Sequence, residues 1–164
     1  MISQVEIIPG VGLVFNNDSI IIHKCSPKDL TKILSIKDTI EIDHASVEDY
    51  GPNGELINNG LFAYKSVVFH EFEFQFNGYK DDEILLKNIY INMSKPHYAL
   101  FLSKTKLADT DIAIVKKYRK STRKEMNPMD TRILTEWSDS GITFLLDTIN
   151  KKILQISVHR IDKK

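Results

Sequence analysis

A single cysteine in 164 residues is the most limiting absence in this chain. The lone Cys25 excludes an internal disulfide and any thiolate-based zinc site, and it favours a reducing compartment. Long apolar runs are missing too, since no stretch approaches the roughly eighteen consecutive apolar residues of a membrane span. The first twenty residues hold Glu6, Pro9, Gly10 and Asp18 and lack the basic start and apolar run of a secretory signal, so the cytoplasm is the expected location and no membrane partner is expected. The phosphate-binding and nucleophile-elbow glycine motifs are absent, and Gly10-Val11-Gly12 is too short to cradle a phosphate; no cofactor is expected.

What is present is an uneven distribution of charge. The formal net charge is zero, but residues 1 to 103 carry 14 acids and 8 bases, a net −6, and residues 104 to 164 carry 8 and 14, a net +6. Asp38, Glu41, Asp43, Glu48, Asp49 and Glu55 fall between Asp38 and Tyr64 without one Lys or Arg among them. Such a one-signed stretch can steer a basic partner by raising its association rate. As a solvated loop, the same stretch would do no more than keep the chain soluble. Asp81-Asp82-Glu83 adds to the acidic first half.

With an apolar fraction of 42% the chain is long enough for one domain with its own core. Short strands are expected at Val5 to Ile8, Gly12 to Phe15 and Ser19 to His23. Ser26-Pro27-Lys28-Asp29 predicts a capped helix start, with Leu30, Ile33 and Leu34 as its apolar face. Val67 to Phe76 reads as one strand with Val68, His70, Phe72, Phe74 and Phe76 inward and Phe69, Glu71, Glu73 and Gln75 outward. Asn77-Gly78 is expected to turn, and Ile84 to Met93 to return as the hairpin partner. A second helix, capped by Asp109 or Thr110, is expected over Ile112 to Tyr118, followed by strands Thr131 to Trp137, Gly141 to Leu146 and Lys152 to Ile161, with Leu154, Ile156 and Val158 inward.

Few residues offer chemistry. No two of the five histidines have the helical i, i+4 spacing of metal ligands. On a continuous strand His70 points away from Glu71 and Glu73, so it reads as a core histidine. Asp43-His44 beside Glu48 lacks a nucleophile or an oxyanion donor set, so no catalytic centre is expected and the protein reads as a non-enzyme. Cys25 precedes a helix start, which can depress a thiol pKa; the alternative is a half-buried packing residue. Lys116, Lys117, Arg119, Lys120, Arg123 and Lys124 surround Tyr118, a composition that complements a helix end or tracks a nucleic-acid backbone.

A pattern echoes across the chain. A capped helix and a hairpin occur about eighty residues apart, as Ser26 to Leu34 with Phe72 to Ile91 and as Asp109 to Val115 with Gly141 to Val158. The plan is α+β, one mainly antiparallel sheet built from two pseudo-repeats, about 5–95 and 96–162, in a single domain, with short helices on one face. Over Asp139 to Asp147 and Lys151 to Val158 this resembles the hairpin of tandem helix-on-sheet proteins: β-lactamase-inhibitor proteins, small outer-membrane assembly lipoproteins and the phagosome assembly factor family. The resemblance implies a binding scaffold that presents its sheet or loops to another protein. The overall profile is similar to bacterial immunity proteins, which implies occlusion of a basic toxin domain by Asp38 to Glu55 and the face of Glu71 and Glu73. A scaffold or adaptor that inhibits nothing is the alternative, and a nucleic-acid binder using residues 116–124 is the third class.

The basic run generates a test. Replacing Arg119, Lys120, Arg123 and Lys124 with Gln should cost about 1 kcal/mol or less if the run only complements a helix end. Binding to RNA or DNA at physiological salt should be unmeasurable before and after the change. A complex that weakens with a log-log slope near −0.7 to −0.9 per phosphate, and whose slope flattens in the Gln variant, would show instead that the run tracks a nucleic-acid backbone.

Overall fold

The fold is that of a computed structural model, in which residues 4–79, 84–110, 112–118 and 123–161 are described. It is mostly sheet, 54% against 10% helix, and so broadly α+β, but with two sheets where one was expected. The chain order is β1 (Gln4–Ile8), β2 (Gly12–Phe15), β3 (Asp18–Ile21), α1 (Pro27–Ile33), β4 (Asp43–Tyr50), β5 (Leu56–Phe69), β6 (Phe72–Gly78) and β7 (Leu85–Asn92). It continues with β8 (Ala99–Leu102), β9 (Thr105–Lys106), α2 (Ile112–Val115), a 3-10 turn (Lys116–Tyr118), β10 (Lys124–Asn127), β11 (Asp130–Ser138), β12 (Ile142–Asp147) and β13 (Lys152–His159).

The small sheet runs β3-β2-β1-β8-β9 and the large one β10-β11-β12-β13-β7-β6-β5-β4. Every pairing is antiparallel except β1 with β8. Val5, Ile7, Leu13, Ile20, Leu100 and Leu102 of the small sheet share one core with Phe72, Phe74, Phe76, Ile89, Phe144 and Ile156 of the large one. Alternation along each strand produces this, because a sheet with one face buried must be apolar at every second residue.

Helix α1 starts as its sequence dictates. The Asp29 N–H donates to Ser26 Oγ at 3.2 Å and the Ser26 N–H to Asp29 Oδ2 at 3.0 Å, which satisfies two donors at the helix start. Leu30 and Leu34 are buried. Residues 22–25 are stitched to β7, with the His23 N–H donating to the Leu86 carbonyl at 2.7 Å and the Leu86 N–H to the Cys25 carbonyl at 2.9 Å.

The aromatic run corrects the sequence reading. Val67 to Phe76 is not one strand but two, reversed at His70 and Glu71, with Phe69 opposite Phe72 and Val67 opposite Phe74. Residues 69 and 72 would lie on opposite faces of a continuous strand, whereas a two-residue turn makes them cross-strand partners on one face. Phe69 and Val67 therefore pack on the core, Val68 is 71% exposed, and His70 is an exposed turn residue with φ of 53° rather than a core histidine. Asn77 and Gly78 remain within β6, paired with Tyr64 and Ala63, and the segment after them, with Asp81, Asp82 and Glu83, lies outside the described residues.

Two further corrections concern the second half. The second helix is a single α-turn running into a 3-10 turn. The Asp109 side chain accepts from Lys152 Nζ at 2.8 Å instead of capping it. In β13 the inward residue is Ile153, 1% exposed, and not Leu154. Leu145 pairs with Gln155 while Leu146 pairs with Ile153, so Leu154 is the extra residue of a β-bulge, which shifts the alternation by one.

The sheets touch at two glycines. Gly10 and Gly141 both have left-handed φ, 71° and 77°, and the Gly10 N–H donates to the Gly141 carbonyl at 3.1 Å. A Cβ on Gly141 would lie 2.4 Å from the Gly10 Cα and 2.5 Å from the His159 carbonyl oxygen. Gly141→Ala should therefore destabilise the protein by at least about 2 kcal/mol, from the left-handed backbone and the backbone clash together. A urea midpoint unchanged by the substitution would remove this crossing as a constraint on the fold.

Candidate functional site

The acidic segment is a β-hairpin rather than a loop. β4 and β5 pair from Asp43 with Tyr64 to Tyr50 with Leu56, closed by a turn in which the Gly51 N–H donates to the Glu55 carbonyl at 2.7 Å. β6 reaches along β5 only to Ala63, so the β5 residues from Leu56 to Phe62 have β4 as their only ladder partner among the described residues. The outer half of the hairpin is thus a two-stranded ribbon with a free edge, about 20 Å long at the usual strand rise. An isolated ribbon of this kind is marginal in water. This one is anchored at its base by Ala63, 1% exposed, and by Ile42, which packs against the core.

Four of the predicted acids are carried by the β4–β5 hairpin. Asp43 opens β4 and is paired with Lys65 at 3.1 Å. Glu48 accepts from the Tyr50 hydroxyl at 2.6 Å, which raises the Tyr50 pKa. Asp49 stands at the register position opposite Asn58, and Glu55 accepts the Asn53 N–H at 3.1 Å. Asp38 and Glu41 are exposed on the segment that leads in from α1. Tyr50, Leu56 and Tyr64 are also exposed, and the Phe62 ring stacks with Tyr64 at 6.1 Å and meets the edge of Tyr79 at 5.7 Å.

Glu71 and Glu73 do not join this surface. Glu71 sits at the β5–β6 turn, thirteen residues of strand from the ribbon turn and so about 40 Å away along β5. It is buried, its Oε1 accepting the Tyr98 N–H at 2.9 Å while Oε2 has no partner. Its task is to hold the 97–98 segment, where Tyr98 packs edge-on to Phe15 and His97 stacks flat on His70 at 4.2 Å. Glu73 is half-buried on the outer face of the large sheet and accepts from Ser66 Oγ at 2.8 Å and Gln75 Nε2 at 3.0 Å.

The remaining candidates resolve through their surroundings. Cys25 is buried and its thiol pKa is pushed up to about 12 by that burial and by the Asp29 carboxylate, so the helix start does not activate it. Arg119 and Lys120 of the basic run lie outside the described residues. Arg123 lies 5.2 Å over the Trp137 ring and pairs with Glu125 at 2.8 Å, and Lys124 pairs with the buried Glu136 at 3.1 Å. The end of the run therefore serves an edge strand, β10, rather than a helix end. Among the described residues no three His, Cys, Asp or Glu side chains are grouped to hold a metal ion, and no helix is long and apolar enough to cross a membrane.

No protein-family model, curated protein or solved structure matches the chain. The sequence did contain a sign of the ribbon that composition alone obscured. Gly51-Pro52-Asn53-Gly54 is a dense turn signal, and it separates Val47 and Tyr50 from Leu56, Ile57, Phe62 and Tyr64, all strand-favouring residues.

Glu71 provides the test of this assignment. Glu71→Gln keeps the acceptor for Tyr98 and removes a charge with an unpaired oxygen, so its stability should match or exceed that of the parent. Glu71→Ala leaves the Tyr98 N–H unsatisfied and should cost about 1–3 kcal/mol in urea unfolding. Equal stabilities for the Gln and Ala variants would show that the hydrogen bond to Tyr98 contributes nothing.

Proposed function

We propose that this protein is a non-enzymatic binder, an immunity protein or inhibitor whose acidic β4–β5 ribbon occupies the basic active site of a cognate bacterial toxin. The observation that carries the reading is the coincidence of charge and shape: the base-free stretch richest in acids, Asp38 to Tyr64 with six, contains the hairpin whose outer half extends past the end of β6. A narrow ribbon can enter a cleft that a broad sheet face cannot. Its acids supply steering, and its exposed Tyr50, Leu56 and Tyr64 supply rigid apolar contact of the kind that dominates interface energy. In this proposal the cytoplasm is where the toxin is met.

The two-unit plan belongs to the same proposal. The β6–β7 and β12–β13 hairpins stand side by side in the large sheet, joined through β7 and β13, as two copies of one hairpin would be. An adaptor that inhibits nothing would use the same ribbon and differs only in the fate of its partner.

The test uses the product of the gene adjacent to this one. Co-expression should protect cells from that product, and Glu41→Lys, Asp43→Lys and Glu48→Lys together should abolish protection. At low salt the triple variant should associate with the purified partner at least about tenfold more slowly, while its melting temperature stays within a few degrees, because exposed charges are worth about 0–1 kcal/mol each. An unchanged association rate would remove the ribbon as the docking element, and binding without protection would favour the adaptor.

A further inference from the structure

The face of the large sheet turned away from the core carries a trough formed by other strands than the ribbon. Register builds it. Trp137 pairs with Thr143, Thr143 with Ser157 and Ser157 with Tyr90, so one row across four strands reads indole, hydroxyl, hydroxyl, phenol. At about 4.8 Å per strand the two aromatic residues start roughly 14 Å apart, with only two small side chains between them. The resulting cavity is about 590 Å³, within the span of small-molecule sites.

The chemistry of the lining is selective. Gln155 and Asn88 contribute amides to the lining, and Lys87 and Arg160 contribute cations. No carboxylate lines the trough, and neither Lys87 nor Arg160 is in an ion pair among the described residues. Lys87 Nζ lies 3.4 Å from His23 Nδ1, also on the lining, and Glu73, the next residue of the row beyond Tyr90, accepts from Ser66 and Gln75. His159 is fixed in place: its Nδ1 lies 3.1 Å from the Arg160 carbonyl, which can only accept, and its Nε2 lies 3.1 Å from the Thr143 hydroxyl. Aromatic side chains at both ends of the row, one of them Trp137 with Arg123 over its ring, hydrogen-bonding groups between them and two cations outside any ion pair among the described residues together match a ligand with a ring, hydroxyls and a phosphate.

We propose that this trough binds a nucleoside monophosphate, its base against Trp137 or Tyr90, its ribose on Gln155 and Asn88, and its phosphate on Lys87 and Arg160. The site is separate from the ribbon and does not depend on the function proposed for it. Trp137 is the only tryptophan, so indole fluorescence reports occupancy directly.

The experiment titrates the full chain with AMP, adenosine and inorganic phosphate, excited at the red edge of indole absorption to avoid absorption by the base, with calorimetry in parallel. AMP should quench saturably, with adenosine and phosphate each at least about tenfold weaker. Lys87→Gln with Arg160→Gln should raise the Kd for AMP about tenfold or more, the loss expected for hydrogen bonds to a charged group. The Glu41, Asp43, Glu48 charge reversal should leave it unchanged. No saturable AMP signal by either method up to millimolar concentration would overturn the proposal, as would adenosine binding as tightly as AMP. A short single-stranded RNA binding much more tightly than AMP, with a salt slope of several phosphates, would replace it with a nucleic-acid surface.

Discussion

The reversal at His70 and Glu71 is the constraint on which the rest of the large sheet depends. Two residues of turn set Phe69 opposite Phe72, and every later pairing between β5 and β6 inherits that register. The core face then receives Val67, Phe69, Phe72, Phe74 and Phe76, a larger apolar area than either strand could supply alone. A slip of one residue would bury Ser66, Glu73 and Gln75 in their place. Glu71 locks the turn from outside by receiving the Tyr98 N–H, which brings the segment before β8 onto Phe15 and Phe72 and so connects the two sheets. The carboxylate oxygen left unpaired there is the cost of a contact made by one side chain at a crowded corner.

From the same register the two candidate surfaces separate. β5 continues past the end of β6 and there, among the described residues, pairs only with β4, which makes the ribbon. The outer rows of β7, β13, β12 and β11 are left uncovered, which makes the trough. The ribbon strands carry acids, and the trough lining carries Lys87 and Arg160 and no carboxylate.

Local chemistry was legible in the sequence wherever it is decided by neighbours in the chain. The Ser26 to Asp29 capping box, the first two strands and the inward Ile156 and Val158 need only short-range rules. What the sequence concealed was decided at longer range. The alternation across Val67 to Phe76 is nearly the same for one long strand as for two short ones, and no Gly or Asn marks the reversal at His70. The bulge at Leu154 is invisible without its partner strand. The acidic candidates divided along the same line: Asp43, Glu48, Asp49 and Glu55 are distributed along one hairpin from base to turn, whereas Glu71 and Glu73, grouped by an assumed continuous strand, lie beyond the turn that the pattern did not reveal. The trough escaped notice because its parts, Trp137, Thr143, Ser157 and Tyr90, become neighbours only through three strand pairings.

The order of strands in the large sheet gives the chain a timetable. β7 must be flanked by β6 and by β13, yet β13 follows it by about sixty residues, which at roughly 5–20 residues per second takes several seconds to synthesise. During that interval the open edge of β7, with Ile89 and Ile91 on one face, is a template for any strand that reaches it first. When β7 has just been made the emerging chain carries a net charge of about −6, so copies at that stage repel one another. The surplus is cancelled by Lys124, so this repulsion acts while the edge of β7 is newly made and ends before β13 closes the sheet.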